Sequence, residues 1–241
     1  MMENKYTTLS WDSAFFGYKV VSMAPCNLIK AEAEKIIGDM RINQVKLAYF
    51  FVAPEDHISN ETLVKSSAFL VDEKVTYASE INKDISLFKD ISINAYGPGE
   101  ADPVIKKLAI QSGIYSRFKI DSHFRSNEFE RLYTEWIEKS VRKEISDEVM
   151  VYRIGAEIKG FVTIKVRNNT GTIGLIAVDE NERGKSIGKK LMSAAMHFCW
   201  MNNAHMTEVA TQKANENACR FYESIGFKVK NIVNVYHLWI S

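Results

Sequence analysis

The segment from Ile176 to Leu191 is the part of the sequence best suited to holding an anionic ligand. An apolar strand there runs through a polar, glycine-containing loop into a helix. Such a loop leaves backbone N–H groups pointing outward at the helix start, where the helix dipole adds about half a positive charge. A pyrophosphate is the kind of anion expected there. The basic side chains and glycines that would hold it are Arg183, Gly184, Lys185, Gly188 and Lys189.

These residue types leave two interpretations open. The segment lacks the GxxxxGK[ST] pattern of a Walker loop. It is either an anion-binding loop or an ordinary solvated loop with basic residues, because glycine-containing loops match such patterns by chance at a high rate.

A second segment, Asn215 to Phe227, offers a proton donor. Tyr222 lies in a predicted helix, and a phenol with an ordinary pKa of about 10 is protonated at neutral pH, so it can serve as a general acid. A tyrosine packed in the core is the alternative at this spacing.

Taken together, the two segments resemble the GNAT superfamily of N-acetyltransferases. The family's loop reads Arg or Gln, two residues, Gly, one residue, and Gly or Ala, and here Ser186 stands where the first glycine is usual. The segment from Asn215 matches the family's Asn-x-x-Ala-x-x-aromatic-Tyr-x-x-x-Gly-Phe pattern. Two motifs in the correct order are far more specific than either one alone.

The resemblance implies acetyl-CoA as co-substrate and a role for each matching residue. The pantetheine arm would pair with the strand before the loop, where a backbone N–H would stabilise the oxyanion. Asn215 would hydrogen-bond the pantetheine, and Tyr222 would protonate the departing thiolate. The residues implied to bind acetyl-CoA are Ile176, Ala177, Val178, Arg183, Gly184, Lys185, Ser186, Ile187, Gly188, Lys189, Asn215 and Tyr222.

Cys219 raises a second mechanism through an acyl-cysteine, because it lies three residues before Tyr222 on the same helix face. No histidine stands near it in the sequence to generate a thiolate, so direct transfer in a ternary complex is favoured.

The acceptor is expected near the loop from Ser116 to Phe124. Its arginine suits a phosphate, its phenylalanine suits stacking, and its aspartate and histidine suit hydroxyls or an amine. A plain surface connection is the alternative interpretation. The residues expected to bind substrate are Arg117, Phe118, Asp121 and His123.

The resemblance extends over the whole chain for one group within the superfamily, the enzymes that N-acetylate a dTDP-linked 4-amino-4,6-dideoxy sugar for a bacterial surface polysaccharide. Matching segments include Leu9 to Gly17, Ser116 to Phe118 and Val209 to Gln212. The resemblance implies a nucleotide-sugar substrate and a homodimer. Another amine (a protein N-terminus, an aminoglycoside or a polyamine) and an inactive CoA-binding module remain the alternatives.

The order of the predicted strands and helices around these residues indicates a mixed-sheet α/β fold in two domains. Residues 1–86 are expected to form a partial GNAT-like domain, and residues 87–241 the complete GNAT fold. A strand from Leu87 to Ala95 opens the second domain, and a three-strand meander ending at Val178 leads into the loop. Two short strands, Phe227 to Ile232 and Val235 to Ile240, are predicted at the end.

Composition excludes several other classes of protein. The formal charge of +1 gives no net attraction to nucleic acid or to acidic membranes. Three cysteines without CxxC spacing, and histidines without ligand spacing, predict neither a disulfide framework nor a metal site. No apolar stretch is long enough for a signal peptide or a membrane span, so a cytoplasmic location is expected.

Overall fold

A computed structural model describes residues 6–82, 84–85, 90–97 and 99–240. The strands among these residues are β1 (Thr7–Thr8), β2 (Lys19–Met23), β3 (Val45–Val52), β4 (Phe69–Glu80), β5 (Ile93–Ala95), β6 (Glu148–Ile154), β7 (Glu157–Arg167), β8 (Thr170–Val178), β9 (Met206–Gln212) and β10 (Lys228–Trp239). The helices are α1 (Ser10–Phe16), α2 (Lys30–Ile42), α3 (His57–Lys65), α4 (Pro103–Ser112), α5 (Arg117–Ile120), α6 (Glu128–Val141), α7 (Ile187–Met201) and α8 (Glu216–Ser224).

The chain divides into two compact units. Within the described residues, the first unit takes residues 6–75, 212–214 and 231–240, and the second takes the remainder. Strands β4 and β10 each have residues in both units. The division into domains 1–86 and 87–241 remains a proposal.

The first unit is a mixed sheet with helices packed on it. β2 pairs in parallel with β3, while β1 and the second half of β10 add antiparallel partners. β3 reads VKLAYFFV, a nearly continuous apolar run, which is typical of a strand buried on both faces. Its Phe50 packs with Met40 of α2 and Leu63 of α3 in one core.

The second unit carries the predicted meander. β5, β6, β7 and β8 pair antiparallel in chain order, and β9 joins β8 in parallel after α7 crosses over. α4 and α6 cover one face, where Ile105, Ile137 and Phe161 form the core. Both units mix sheet and helix, which confirms the α/β class.

Some predicted elements were wrong. The last strand, β10, runs without a break from Lys228 to Trp239, and the loop after Ser116 contains the short helix α5. The start of the predicted strand from Leu87 lies outside the described residues, and within them β5 covers only Ile93–Ala95. Along the described part of the chain, no helix is both long and apolar enough to cross a bilayer.

Candidate active site

Strand β8 loses its pairing with β9 halfway along its length. The two strands pair from Thr170 with Met206 to Ile173 with Val209. The rest of β8 stays paired on its other edge with β7, up to Gly160 with Val178. The edge of β8 that β9 leaves therefore offers backbone donors and acceptors to an extended ligand.

A bulge in the β7–β8 ladder accompanies this divergence. The register shifts between Val162 and Ile164, and the N–H of Leu175 donates to the hydroxyl oxygen of Thr163 at 2.8 Å. A Cβ on Gly174 would lie 2.7 Å from that hydroxyl oxygen, so the close approach requires glycine. Bulges bend the strand that carries them. Where β8 diverges from β9, the Thr163 hydroxyl thus accepts a hydrogen bond that a backbone carbonyl of β7 would accept in a regular ladder.

A cavity of about 550 Å³ opens beside the free edge of β8. Its walls come from β8, the loop that follows, the first turn of α7, the face of α8 and the end of α4. Of the residues implied to bind acetyl-CoA, those lining it are Ile176, Ala177, Val178, Arg183, Gly184, Ile187, Gly188, Asn215 and Tyr222. Lys185, Ser186 and Lys189 belong to the same loop and helix start but lie off this wall.

The loop presents the start of α7 to the cavity through two left-handed residues. Gly184 has φ of 80° and Ser186, the N-cap of α7, has φ of 61°. The Ser186 side chain makes no capping hydrogen bond, so the N–H groups of the first turn are left to a ligand. Nζ of Lys185 lies 2.8 Å from Oε2 of Glu182. Lys185 thus offsets the negative charge of Glu182, the one carboxylate among the lining residues.

Asn215 caps the neighbouring helix α8. Its Oδ1 accepts the N–H of Ala218 at 3.2 Å, which fixes the side chain and leaves the Nδ2 amide as a donor at the cavity wall.

Tyr222 lies deep in the cavity wall with 4% of its surface exposed. Its ring packs against Tyr77, with ring centroids 5.6 Å apart, and against Phe227. Burial raises the pKa of Tyr222 well above its ordinary value, and the nearby Cys219 thiol adds to the shift. The phenol is therefore protonated at every pH near neutrality.

Comparison with known proteins identifies the domain that holds this site. The model of the acetyltransferase (GNAT) family matches residues 114–227. The chain carries a GNAT acetyltransferase domain. This stretch runs from the end of α4 to the residue before β10 and so contains β8, the loop and Tyr222. The resemblance drawn from the sequence is confirmed for this domain.

Relatives extend the similarity beyond the GNAT domain. The dTDP-fucosamine acetyltransferase of Escherichia coli O6:H1 is 27% identical over 231 residues, which cover 92% of this chain and 93% of that protein. The spore coat polysaccharide biosynthesis protein SpsD of Bacillus subtilis is 24% identical over 59% of this chain and 48% of its own length. The GCN5-related N-acetyltransferase structure from Sphaerobacter thermophilus has a TM-score of 0.59 at 14% identity, covering 92% of this chain and 73% of that one. This likeness confirms the GNAT fold.

Cys219 of the GNAT domain is not among the residues that line the cavity. It instead interacts with the hydroxyl of Tyr77, which donates to Glu223 at 2.9 Å. This position favours the packing role of the thiol over an acyl-cysteine.

The residues expected to bind substrate cluster around α5, and none of them lines this cavity. The Arg117 guanidinium lies 4.7 Å from the centroid of the Phe118 ring, and Phe118 is buried. Nδ1 of His123 lies 2.8 Å from Oδ1 of Asp121, which is also buried. An ionised Asp121 accepts the Nδ1 proton, so Nε2 is the basic nitrogen of this ring.

The sequence pattern missed the part of the GNAT cavity formed by the end of α4. Gln111, Ser112, Ile114 and Tyr115 line the wall there. The Nε2 of Gln111 is buried and has no hydrogen-bond partner among the described residues. In the sequence, the signal that could have pointed to this wall was Gly113, which follows the last residue of α4. As for metals, no group of three or more His, Cys, Asp or Glu within the described ranges is arranged to hold an ion.

Proposed function

We propose that this protein transfers the acetyl group of acetyl-CoA to the amine of a dTDP-linked 4-amino-4,6-dideoxy sugar used for a surface polysaccharide. The observation that carries this proposal is the similarity to dTDP-fucosamine acetyltransferase, which covers 92% of this chain and 93% of the relative. A similarity limited to the GNAT domain would support only the choice of acetyl-CoA as donor. The similarity to this relative also includes the N-terminal residues. The match to a spore coat polysaccharide biosynthesis protein supports the same class of product.

The donor site of the proposal is the open edge of β8. The pantetheine arm would lie along Ile176 to Val178, with its amides paired to the strand and with Asn215 as a side-chain donor. Its pyrophosphate would meet Arg183 and the N–H groups at the start of α7. Lys185 and Lys189 add positive charge around them. A backbone N–H of β8 would stabilise the oxyanion of the tetrahedral intermediate, a contribution of about 3 kcal/mol.

The proposed reaction is a direct attack in a ternary complex. The amine nitrogen bonds to the thioester carbon, the C–S bond breaks, and Tyr222 donates its hydroxyl proton to the departing sulfur. Solvent then returns a proton to Tyr222. The proton on the amine leaves to water or to Nε2 of His123, which Asp121 orients. The position of Cys219 off the cavity wall supports a mechanism without an acyl-enzyme.

The acceptor site of the proposal includes Arg117, Phe118, Asp121 and His123. We also propose that the protein acts as a cytoplasmic homodimer on this small molecule, without a nucleic-acid or membrane partner. Light scattering on the purified chain tests the oligomeric state.

The experiment that tests the function measures thiol release from acetyl-CoA with a panel of dTDP- and UDP-linked amino sugars. Wild type and Tyr222→Phe are compared. Rapid turnover of a dTDP-linked amino sugar, mostly lost in the variant, is the expected result. If no amino sugar of the panel causes thiol release while the protein still binds CoA, the proposal is overturned, and peptide and polyamine acceptors should be tested instead.

A further inference from the structure

A second cavity, of about 290 Å³, lies between α6 and strands β7 and β8 of the same unit. Both cavities are lined by β8: Leu175 lines the second, and Ala177, two residues on and therefore on the same face of the strand, lines the first. Its size is near the lower end for small-molecule sites. It also contacts Trp136, whose ring packs edge-on against Phe118 at 6.0 Å between centroids.

Unneutralised positive charge lines this second cavity. Thr163, Lys165 and Arg167 alternate along β7 and all line it, as expected for residues on one face of a strand. Lys165 has no ion-pair partner anywhere in the described part of the chain. Arg167 donates to the carbonyl oxygen of Val166 and has one long ion pair, with Asp147 at 3.6 Å, and its side chain stays 66% exposed. Two cations of which one is unpaired favour an anionic ligand.

The remaining walls suit a flat, partly apolar group. Trp136 is half-buried and is held from one side by Phe118 and from another by Tyr133, with ring centroids 5.0 Å apart. Ile145 and Leu175 add apolar surface, and the Thr163 hydroxyl, which accepts from Leu175, still has its own proton to donate. An aromatic wall beside an unpaired lysine and a weakly paired arginine is a combination that can bind a base and its phosphates.

The spacing of the two cavities along β8 matches one extended ligand. Thr172 lines the second cavity and Ala177 the first, and five residues of a strand span about 16 Å. A ligand lying along this strand would have its anionic part beside Lys165 and its far end beside the open edge of β8.

We propose that the second cavity binds the nucleoside diphosphate portion of the acceptor, with Lys165 contacting the phosphates and Trp136 contacting the base. The inference rests on the proposed function, because it presumes an acceptor linked to a nucleotide. It assigns the base to Trp136, since Phe118 is buried beneath Arg117 and Trp136.

The test measures binding of thymidine 5′-diphosphate to the full chain by calorimetry, in the presence of saturating CoA. Saturating CoA occupies the loop before α7, so the measured binding of the nucleotide does not include binding at that loop. Wild type should bind, and Lys165→Met should weaken binding at least about tenfold, the usual loss for one charge-assisted hydrogen bond. Lys165→Arg should restore most of it. The matched control is Lys159→Met, because Lys159 lies on the same strand but pairs with Glu157 and is outside the cavity.

Several results would overturn the inference. One is the absence of binding to wild type, and another is equal binding to Lys165→Met at an unchanged melting temperature. Inorganic pyrophosphate binding as tightly as the nucleotide would remove the role of Trp136. The thiol-release assay separates this inference from the proposed function. Turnover with an unchanged acceptor KM in Lys165→Met rejects the cavity alone. Nucleotide binding that depends on Lys165, without acetylation of any amino sugar, rejects the sugar substrate alone.

Discussion

The end of α4 packs on the face of Tyr133 so closely that a Cβ on Gly113 would lie 2.2 Å from Cζ of that ring. Gly113→Ala should therefore overpack the junction of α4 and α6 and lower the free energy of unfolding by about 1–3 kcal/mol. Urea denaturation measures this loss. The control is Gly38→Ala in α2, where nothing lies within 4 Å of the added Cβ. There the substitution should stabilise the protein by about 0.5–1 kcal/mol, and equal effects at both positions would contradict the packing seen at Gly113.

Tyr222→Phe tests the general acid. Removing the hydroxyl should lower kcat about 100-fold or more, while the KM for acetyl-CoA stays near its wild-type value, because the ring still fills the cavity wall. Steady-state thiol release gives both constants. Tyr236→Phe is the matched control, since it removes another buried hydroxyl, one that donates to Asn60 in the first unit. A kcat loss of the same size in both variants would indicate a general structural effect.

The buried thiol of Cys199 predicts a loss of stability at alkaline pH. Burial raises the pKa of Cys199 from 9.0 to about 11. A group whose pKa is higher in the folded state contributes stability that is complete below its unfolded pKa and is lost as pH rises through the folded pKa. The free energy of unfolding should thus fall by about 2 kcal/mol between pH 9 and pH 11 on account of this thiol. In Cys199→Ala this part of the slope should disappear, and an unchanged slope would contradict the assignment.

Ser186 carries a left-handed backbone, with φ of 61°, at the position where the GNAT loop usually has glycine. Ser186→Gly should relieve this strain and raise the free energy of unfolding by up to about 1 kcal/mol. Because the backbone N–H groups remain, the KM for acetyl-CoA should not rise. Ser186→Val, with a branched Cβ at positive φ, should lower stability instead. Thermal unfolding and initial rates of both variants check the pair, and a stability order reversed from this one would count against the described loop.

His123, whose ring Asp121 orients, is proposed to contact the acceptor. His123→Ala should raise the acceptor KM about tenfold and leave the acetyl-CoA KM unchanged, the effect of losing one hydrogen bond to substrate. Asp121→Asn should give part of this effect, because it removes the acceptor that orients the ring. His57→Ala, at an exposed position in the first unit, is the control. If kcat falls while the acceptor KM is unchanged, His123 acts as the base and not in substrate binding.

The meander that leads to the site was predictable from the sequence. The sequence predicts strands over 149–154, 158–166 and 172–178, and the strands of the structure begin and end within two residues of these bounds. Gly155, Asn168 and Asn169 stand at the turns and accept positive φ at low cost. The motif residues Arg183, Asn215 and Tyr222 all line the cavity, because the loop and the helix together fix where they lie. Their roles stay predictions.

The remaining features depend on contacts that no local pattern records. Asn234 predicts a break in the last strand, yet its Nδ2 donates to Oδ1 of Asn60, 174 residues away, and β10 continues. Helix α5 is too short to show a period and depends on the Ser116 hydroxyl, which accepts the N–H of Phe118. Gln111 and Tyr115 reach the cavity only because α4 packs on α6, a tertiary arrangement.

The unpaired edge of β8 has a consequence for handling the protein. A strand with free backbone groups is a template on which a second chain can pair, and such edges promote aggregation. From Gly174 to Val178 this edge is not paired with β9, and the bulge in the β7–β8 ladder lies at the same point. A bound pantetheine arm would occupy it as an added strand. CoA should therefore act as a solubility factor as well as a reactant, and preparations kept in CoA should remain monodisperse at concentrations where CoA-free protein forms larger species.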